Sequence, residues 1–218
     1  MAGLKVKMMD ELFKDLDVYR TQEEMKQYFE HTQKIIRQNK EYIKLARLKK
    51  GRFKKFFEEF YPLYCFSQSS YCPKNSKLKL IIGSQGYDGL ILQPDGTEKR
   101  IEITSYKDGK LEFEDAQRVN SGNFALPRIY TEGSVEEYVE KVLENIQKKS
   151  KKDYSGASIL FVVHTFHYFE AYGKSSAAFI HTLKQEMKNT DFRAEEIYLL
   201  ELNQSESESV KQNIHFIK

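Results

Sequence analysis

A hairpin signal in the middle of the chain constrains the fold more than any other feature of the sequence. Residues 87–93 are rich in Leu and Ile, and residues 98–104 alternate charged and apolar side chains, so both segments are predicted strands. Between them lies Pro94-Asp95-Gly96. Proline presets the first turn position, Asp suits the second, and Gly accepts a left-handed third. These residues predict a three-residue hairpin loop with a bulge at the glycine.

The length of this loop decides which residues of the two strands face each other. With a three-residue loop, Gln93 faces Thr97, and counting back pairs Asp88 with Glu102. Directly opposed β-carbons are about 4.5–5.5 Å apart, so these carboxylates repel each other unless a cation lies between them. A divalent metal ion is the usual cation. A two-residue loop would instead pair Asp88 with Ile103 and direct the two carboxylates to opposite faces of the sheet.

Two short segments of this hairpin resemble a known motif. They are Tyr-Asp-Gly at residues 87–89 and Ile-Glu-Ile-Thr at residues 101–104, and together they are similar to the PD-(D/E)XK nuclease superfamily, the restriction-endonuclease-like fold. The resemblance implies that Asp88 and Glu102 hold Mg²⁺ or Mn²⁺, and that a lysine two residues after the Glu positions or activates the attacking water. Thr104 stands in place of that lysine, and its hydroxyl can hold a water but carries no positive charge. Lys107 is close enough in sequence to substitute if the chain bends back. The alternative is an ordinary surface hairpin with solvated charges.

A basic segment precedes the predicted strands. It contains seven basic residues and no acid, with Phe53 and Phe56 interleaved: Lys44, Arg47, Lys49, Lys50, Arg52, Lys54 and Lys55. Such a segment could neutralise several phosphates of a nucleic acid, or it could form the solvated face of a helix. Glu58 and Glu59 follow directly. In the resembling superfamily a helix before the core strands offers a further acid to the metal, which implies that role for Glu59 or its neighbour; otherwise both are surface carboxylates.

Helical patterns flank the hairpin on both sides. Thr21-Gln-Glu-Glu and Ser134-Val-Glu-Glu fit capping boxes, and apolar residues at helical spacing follow each of them. Gly51 is expected to interrupt the first helical region, and Pro62 is expected to end the next helix. Residues 110–113, after a turn signal, are predicted to form a further strand.

Two later segments are typical of strands buried on both faces. They are the apolar runs at residues 157–164 and 196–202, and a capped amphipathic helix is predicted between them over about residues 175–187. A strand, a helix and a strand in this order imply parallel pairing. The chain as a whole therefore predicts an α/β fold. Its central β-sheet is mixed, with an antiparallel meander and parallel strands, and helices flank it.

This order of elements agrees with the core that the resemblance implies, namely a helix, three strands, a helix and a strand. The resemblance covers about residues 52–165. We therefore divide the chain into an N-terminal helical region, residues 1–51, and a restriction-endonuclease-like α/β core, residues 52–218.

Composition and short motifs exclude several classes of protein. Hydrophobic residues make up 40% of the 218 residues, which is enough for a folded core, and no apolar run is long enough for a membrane span. The N-terminal sequence lacks the apolar stretch of a secretory signal, so we expect a cytoplasmic protein with Cys65 and Cys72 reduced. No second Cys or His pair has zinc-ligand spacing. No Gly-rich phosphate loop, G-x-S-x-G elbow or Cys-His nucleophile signature occurs.

Three functions remain open at this point. The first is a metal-dependent phosphodiesterase acting on DNA, in which Asp88 and Glu102 hold the metal, Thr104 or Lys107 orients the water, and the basic segment binds the DNA backbone. The second is a nucleic-acid- or protein-binding relative that kept the fold and lost the lysine. The third is a purely protein-interacting subunit. A net charge of +3 is too small to indicate nucleic acid by itself, and a homodimer is left open.

Overall fold

The chain forms an α/β fold in which helices flank a mixed central sheet. The computed structural model describes residues 11–83, 85–106, 109–124, 131–165, 175–203 and 214–218. No helix in these ranges has both the length and the apolar composition that crossing a membrane requires.

The helices and strands follow in this order. The N-terminal helices are α1 (Gln22–Gln38), α2 (Lys40–Arg47) and α3 (Arg52–Lys55), followed without a break by a π-helix (Phe56–Phe60) and α4 (Tyr61–Ser67). Next come β1 (Lys77–Leu80), β2 (Gly89–Leu92), β3 (Glu98–Ser105), α5 (Gly109–Asn120) and α6 (Glu132–Ser150). The remainder is β4 (Asp153–Tyr154), β5 (Ala157–Thr165), α7 (Ser176–Asn189), β6 (Arg193–Ala194), β7 (Ile197–Asn203) and β8 (Ile214–Phe216).

The central sheet has six strands in the order β1-β2-β3-β5-β7-β8. The first three form an antiparallel meander, β5 pairs in parallel with β3 and β7, and β8 pairs antiparallel with β7 at one edge. The short strands β4 and β6 pair separately in parallel. The mixed sheet and the parallel pairing of the two apolar segments are therefore confirmed.

Local signals determine most of the helix boundaries. The Thr21 hydroxyl accepts the N–H of Glu24 at 3.3 Å, and the Glu24 carboxylate accepts the N–H of Thr21 at 2.7 Å, so the first predicted capping box is confirmed. At α6 the prediction is wrong by three residues. Thr131 caps that helix, and Ser134 is the residue that returns the hydrogen bond, because a serine hydroxyl can fill the position usually taken by Glu or Gln. Gly51 breaks the helical region with φ of +57°, as predicted.

Two other local predictions are wrong. Pro62 does not end a helix, because the π-helix shifts the start of α4 to Tyr61 and the proline falls in the first turn of that helix. Residues 110–113 belong to α5 and not to a strand, because Lys110, Leu111 and Glu112 are good helix formers and because α5 packs beside α2.

A hydrophobic cluster lies on each face of the sheet. On one face, which we call the α1–α4 face, the first five helical segments pack against residues such as Ile101 and Ile103 of β3. On the other, the α6–α7 face, Val142 and Leu183 pack against β5 and β7. The N-terminal helices therefore share one cluster with the sheet, and residues on both sides of the predicted boundary at Gly51 contribute to it.

Candidate cation site and adjoining cleft

The β2–β3 hairpin has the predicted three-residue loop. The N–H of Gln93 donates to the carbonyl of Thr97 at 2.8 Å, and Gly96 has φ of +87°. Along the strands Ile91 faces Lys99, as the three-residue loop requires. The two-residue alternative is thereby excluded, and the predicted register is confirmed along the paired residues of β2 and β3. The predicted pairing of Asp88 with Glu102 is wrong, as the contacts of the two side chains show.

Asp88 lies one residue before β2 and departs from the regular ladder. Its N–H donates to the carbonyl of Ile101 at 3.0 Å, and its side-chain Oδ2 accepts the N–H of Ile103 at 2.9 Å. The carboxylate thus takes a ladder hydrogen bond that a backbone carbonyl would otherwise accept. The side chain therefore lies along the ladder and does not project from the face on which Glu102 projects.

A second carboxylate and a lysine meet Asp88 from the α1–α4 face. Lys55 ends α3, and Glu59 lies one turn later in the π-helix. The Lys55 Nζ is 2.6 Å from Oε2 of Glu59 and 3.9 Å from Oδ1 of Asp88. We call Asp88 and Glu59 the carboxylate pair. One ammonium group thus faces two acids.

Electrostatics at the carboxylate pair favour a bound proton near neutrality. Burial raises the pKa of Glu59 to about 7, the hydrogen bond from Lys55 opposes this, and the charge of Asp88 adds to it. Desolvation and a nearby like charge both disfavour an ionised carboxylate. The Lys55 ammonium therefore does not fully compensate the two acids, and a further positive charge at this position would be favourable.

The raised pKa of Glu59 predicts a pH dependence of stability. Its ordinary value is 4.5, so between about pH 4.5 and pH 7 the folded chain keeps a proton that the unfolded chain has lost. Stability contributed by this group is full below the lower value and declines as the pH rises, by up to about 3 kcal/mol. Glu59→Gln cannot ionise at this position. As the pH rises from about 5 to about 8, we therefore expect the free energy of unfolding of this variant to increase relative to that of wild type. Denaturant unfolding at both pH values measures this, and identical pH dependence in the two proteins would contradict it.

Glu102 has different partners, on the α6–α7 face. Its Oε1 lies 2.6 Å from Nζ of Lys149 and accepts the Tyr154 hydroxyl at 3.4 Å. Both charged side chains are largely buried, with 14% of Glu102 and 15% of Lys149 exposed. Burial alone would lower the pKa of Lys149, but the hydrogen bond and charge of Glu102 outweigh it and raise that pKa. The Thr104 hydroxyl on the same face is buried and accepts the side-chain N–H of Asn145 at 3.3 Å.

The structure therefore divides the predicted site residues into two groups. Asp88 and Glu59 come together on the α1–α4 side, whereas Glu102 and Thr104 are covered by α6 on the opposite face. Within the described ranges, no group of three or more His, Cys, Asp or Glu side chains is placed to hold a metal ion. Lys107 lies outside the described residues.

The basic segment does not present all its charges on one surface. Lys49 pairs with Glu58 at 2.9 Å and with Glu112, and Arg52 donates to the carbonyl of Phe13 at 2.7 Å. Together with Lys55, these side chains form ion pairs or hydrogen bonds within the protein. The remaining four are exposed: Lys44, Arg47, Lys50 and Lys54.

A cleft of about 410 Å³ lies between α2, α3 and α5. Its lining includes Arg47, Lys49, Lys54, Glu58, Ser105 and Phe113. Ser105 lies on β3 two residues beyond Ile103, which holds Asp88, so the two positions are about 7 Å apart along the strand. Glu58 is likewise the immediate neighbour of Glu59. The cleft therefore borders the carboxylate pair.

Several residues of this region carry no signal that could be recognised from the sequence. Ser105 and Phe113 reach the cleft only because α5 packs beside α2, and the strand predicted over residues 110–113 would have placed Phe113 elsewhere. The sequence likewise offers no signal for Lys149, because its partner Glu102 lies 47 residues away in the chain.

The cysteines take no part in this region. Both are free, and burial raises the pKa of the Cys65 thiol to about 12 and that of Cys72 to about 11. A thiol with so high a pKa is a poor nucleophile because the thiolate is the reactive form.

Any assignment of function therefore rests on the geometry of the site and not on a similar protein. Comparison of the chain with protein-family models, with curated proteins and with solved structures finds no match.

Proposed function

We propose that the protein is a divalent-cation-dependent nuclease that hydrolyses phosphodiester bonds in DNA, built on a restriction-endonuclease-like core. The observation that carries the proposal is the convergence of Asp88 and Glu59 on Lys55 beside a cleft with exposed cations. The order of elements also supports it, because helices, an antiparallel meander, helices and a parallel strand follow one another as the resemblance implies.

The carboxylate pair fits Mg²⁺ or Mn²⁺ by its chemistry. Carboxylate oxygens are the ligands that these ions prefer, and Mg²⁺ is commonly held by one or two carboxylates together with waters. Burial and the charge of Asp88 disfavour the ionised form of Glu59 and raise its pKa, and a divalent cation would favour that ionised form. A bound ion polarises a phosphate and makes a water more acidic. Glu102 is not a ligand in this proposal, because its carboxylate is engaged by Lys149.

Lys55 takes the role that the resemblance assigns to the position of Thr104. Its Nζ lies beside both acids, so its positive charge is available to orient an attacking water or a phosphate oxygen. The hydroxyl of Thr104 is buried against Asn145 and cannot do so.

Cleavage of supercoiled plasmid DNA in Mg²⁺ or Mn²⁺ tests the proposal. We expect Asp88→Asn to lower the rate by about 100-fold or more, since cation-mediated charge stabilisation contributes several kcal/mol. Asp95→Asn is the matched control, because Asp95 belongs to the same hairpin and its side chain only caps the N–H of Thr97 at 2.9 Å. This control should cleave at the wild-type rate. A folded Asp88→Asn protein with unchanged cleavage would refute the assignment.

A non-catalytic nucleic-acid-binding relative is the second candidate. This candidate is favoured by the burial of Glu102 and Thr104 on the α6–α7 face. Two of the motif positions are therefore separated from Asp88. This candidate predicts DNA binding that weakens with rising salt, needs no cation and leads to no cleavage. Wild-type protein that binds DNA in this way but leaves it intact in Mn²⁺ would establish it over the nuclease.

A further inference from the structure

We infer that the cleft between α2, α3 and α5 binds an unpaired nucleotide of a single-stranded nucleic acid. Phe113 stacks on the base, and Arg47 and Lys54 bind the phosphates on either side. The inference rests on the proposed action on nucleic acid and names the form of the substrate. The binding itself requires neither a cation nor cleavage.

Phe113 is an exposed aromatic ring in a charged cleft. It leaves 40% of its surface exposed, and it lies among the side chains of Arg47, Lys49 and Lys54. The exposed part of the ring is apolar surface that a bound ligand would remove from water. A nucleobase is a suitable cover, because every base has a π-face, and stacking on an aromatic side chain contributes about 1–3 kcal/mol per base.

Two cations border the ring and are available to anionic groups. The side chain of Lys54 is 64% exposed, and its Nζ lies 4.0 Å from Oε2 of Glu58. Arg47 donates to Oδ1 of Asn120 at 3.4 Å. A guanidinium has five N–H donors in a planar fork, so further donors remain for a phosphate.

The acids of the cleft do not cancel this charge. Glu58 and Glu112 both pair with Lys49, which lies between them. Three cations against two carboxylates leave the lining with a net positive charge. Lys49 pairs with both negative groups, and Arg47 and Lys54 are exposed.

The shape of the cleft favours an unpaired base over a duplex. Its volume of about 410 Å³ is within the usual range for small-ligand sites, about 300–1,000 Å³. In a duplex both faces of a base are covered by its neighbours, so the Phe113 ring can stack only on a base outside a helix. A strand that leaves the cleft past Ser105 passes along β3 toward the carboxylate pair.

A single-tryptophan variant gives a direct readout of stacking. The chain has no tryptophan, so Phe113→Trp introduces one fluorophore in the cleft. We expect saturable quenching of its fluorescence by an oligonucleotide of about 12 nucleotides in EDTA, a length within the range that single-strand sites cover. Phe124→Trp is the matched control, since Phe124 is 93% exposed and does not line the cleft. Equal quenching of both variants would overturn the inference.

Binding of the same oligonucleotide, followed by fluorescence anisotropy in EDTA, measures the energetic effect. Phe113→Ala should weaken binding by about 30-fold, the middle of the range for one stacked base, while Phe124→Ala should remain within about twofold of wild type. Arg47→Gln should also weaken binding and reduce the salt dependence by about one unit of slope. Duplex DNA, or a free mononucleotide, bound as tightly as the single strand would overturn the inference.

The two proposals fail in different ways. Asp88→Asn should abolish cleavage and still show the weakening of binding by Phe113→Ala, because Asp88 does not line the cleft. Absence of cleavage with intact, Phe113-dependent binding would remove the nuclease and keep the cleft assignment. Cation-dependent cleavage that is unaffected by Phe113→Ala would do the reverse.

Discussion

Replacing Phe56 with alanine is expected to lower the free energy of unfolding by about 3–5 kcal/mol. Phe56 is completely buried in the π-helix, and its ring is stacked on Phe29 and Phe60 at centroid distances of 5.6 and 5.5 Å. Phe13 lies 5.4 Å away on another side. Truncation removes buried apolar surface and leaves a cavity that these rings cannot close without breaking their own contacts.

Equilibrium denaturation with a chemical denaturant measures this change. Phe56→Leu is the first control, since it keeps more of the buried apolar side chain and should cost less than Phe56→Ala. Phe57→Ala is the second control, because its partly buried ring should cost less than Phe56. If Phe56→Ala were as stable as Phe57→Ala, the aromatic cluster around Phe56 would not stabilise the π-helix. The same segment carries Glu58 and Glu59, so we also expect weaker cation-dependent cleavage in Phe56→Ala.

Replacing Lys149 with methionine is the second change with a large expected effect, a loss of about 3 kcal/mol. The ion pair between Lys149 and Glu102 is largely buried at 2.6 Å. Methionine fills a similar volume but leaves the Glu102 carboxylate with only the Tyr154 hydroxyl at 3.4 Å. A buried charge without its partner carries its desolvation cost uncompensated.

A double-mutant cycle separates this cost from simple loss of packing. We expect Glu102→Gln combined with Lys149→Met to recover most of the stability, because no charge is then buried. The folded double variant should also cleave DNA in Mn²⁺ at a rate close to wild type, since neither residue belongs to the carboxylate pair. Additive losses in the cycle would contradict the ion-pair account. Loss of cleavage in a stable double variant would return Glu102 to the site.

The β2–β3 hairpin shows how much of the structure can be predicted from the local sequence. Pro94, Asp95 and Gly96 determine the loop length through backbone preferences, and the loop length determines the register of both strands. For the same reason the Thr21 cap and the Gly51 break were predictable, since each depends on atoms within a few residues. The register did not, however, determine the side-chain partners. Asp88 lies one residue outside β2, where its carboxylate could replace a backbone acceptor.

The helical predictions failed where distant packing outweighed local preference. The π-helix brings Phe56 and Phe60 into one cluster, and no local residue pattern specifies its wider turn. Because of this wider turn the helical segment continues through Pro62. The packing of α5 beside α2 favours a helix over the strand predicted for residues 110–113. These outcomes depend on which elements meet, which periodicity does not state.

The sequence by itself determined the mixed α/β sheet, the parallel and antiparallel order of its main strands and the β2–β3 register, because alternation, apolar runs and turn chemistry act over short distances. Only the tertiary structure decided which charges meet. It placed Asp88 with Glu59 and Lys55, enclosed Glu102 with Lys149, and formed the cleft around Phe113. Residues far apart in the chain come into contact because helices cover both faces of the sheet. Burial then changes both the partners and the charge states that the residue types alone would suggest.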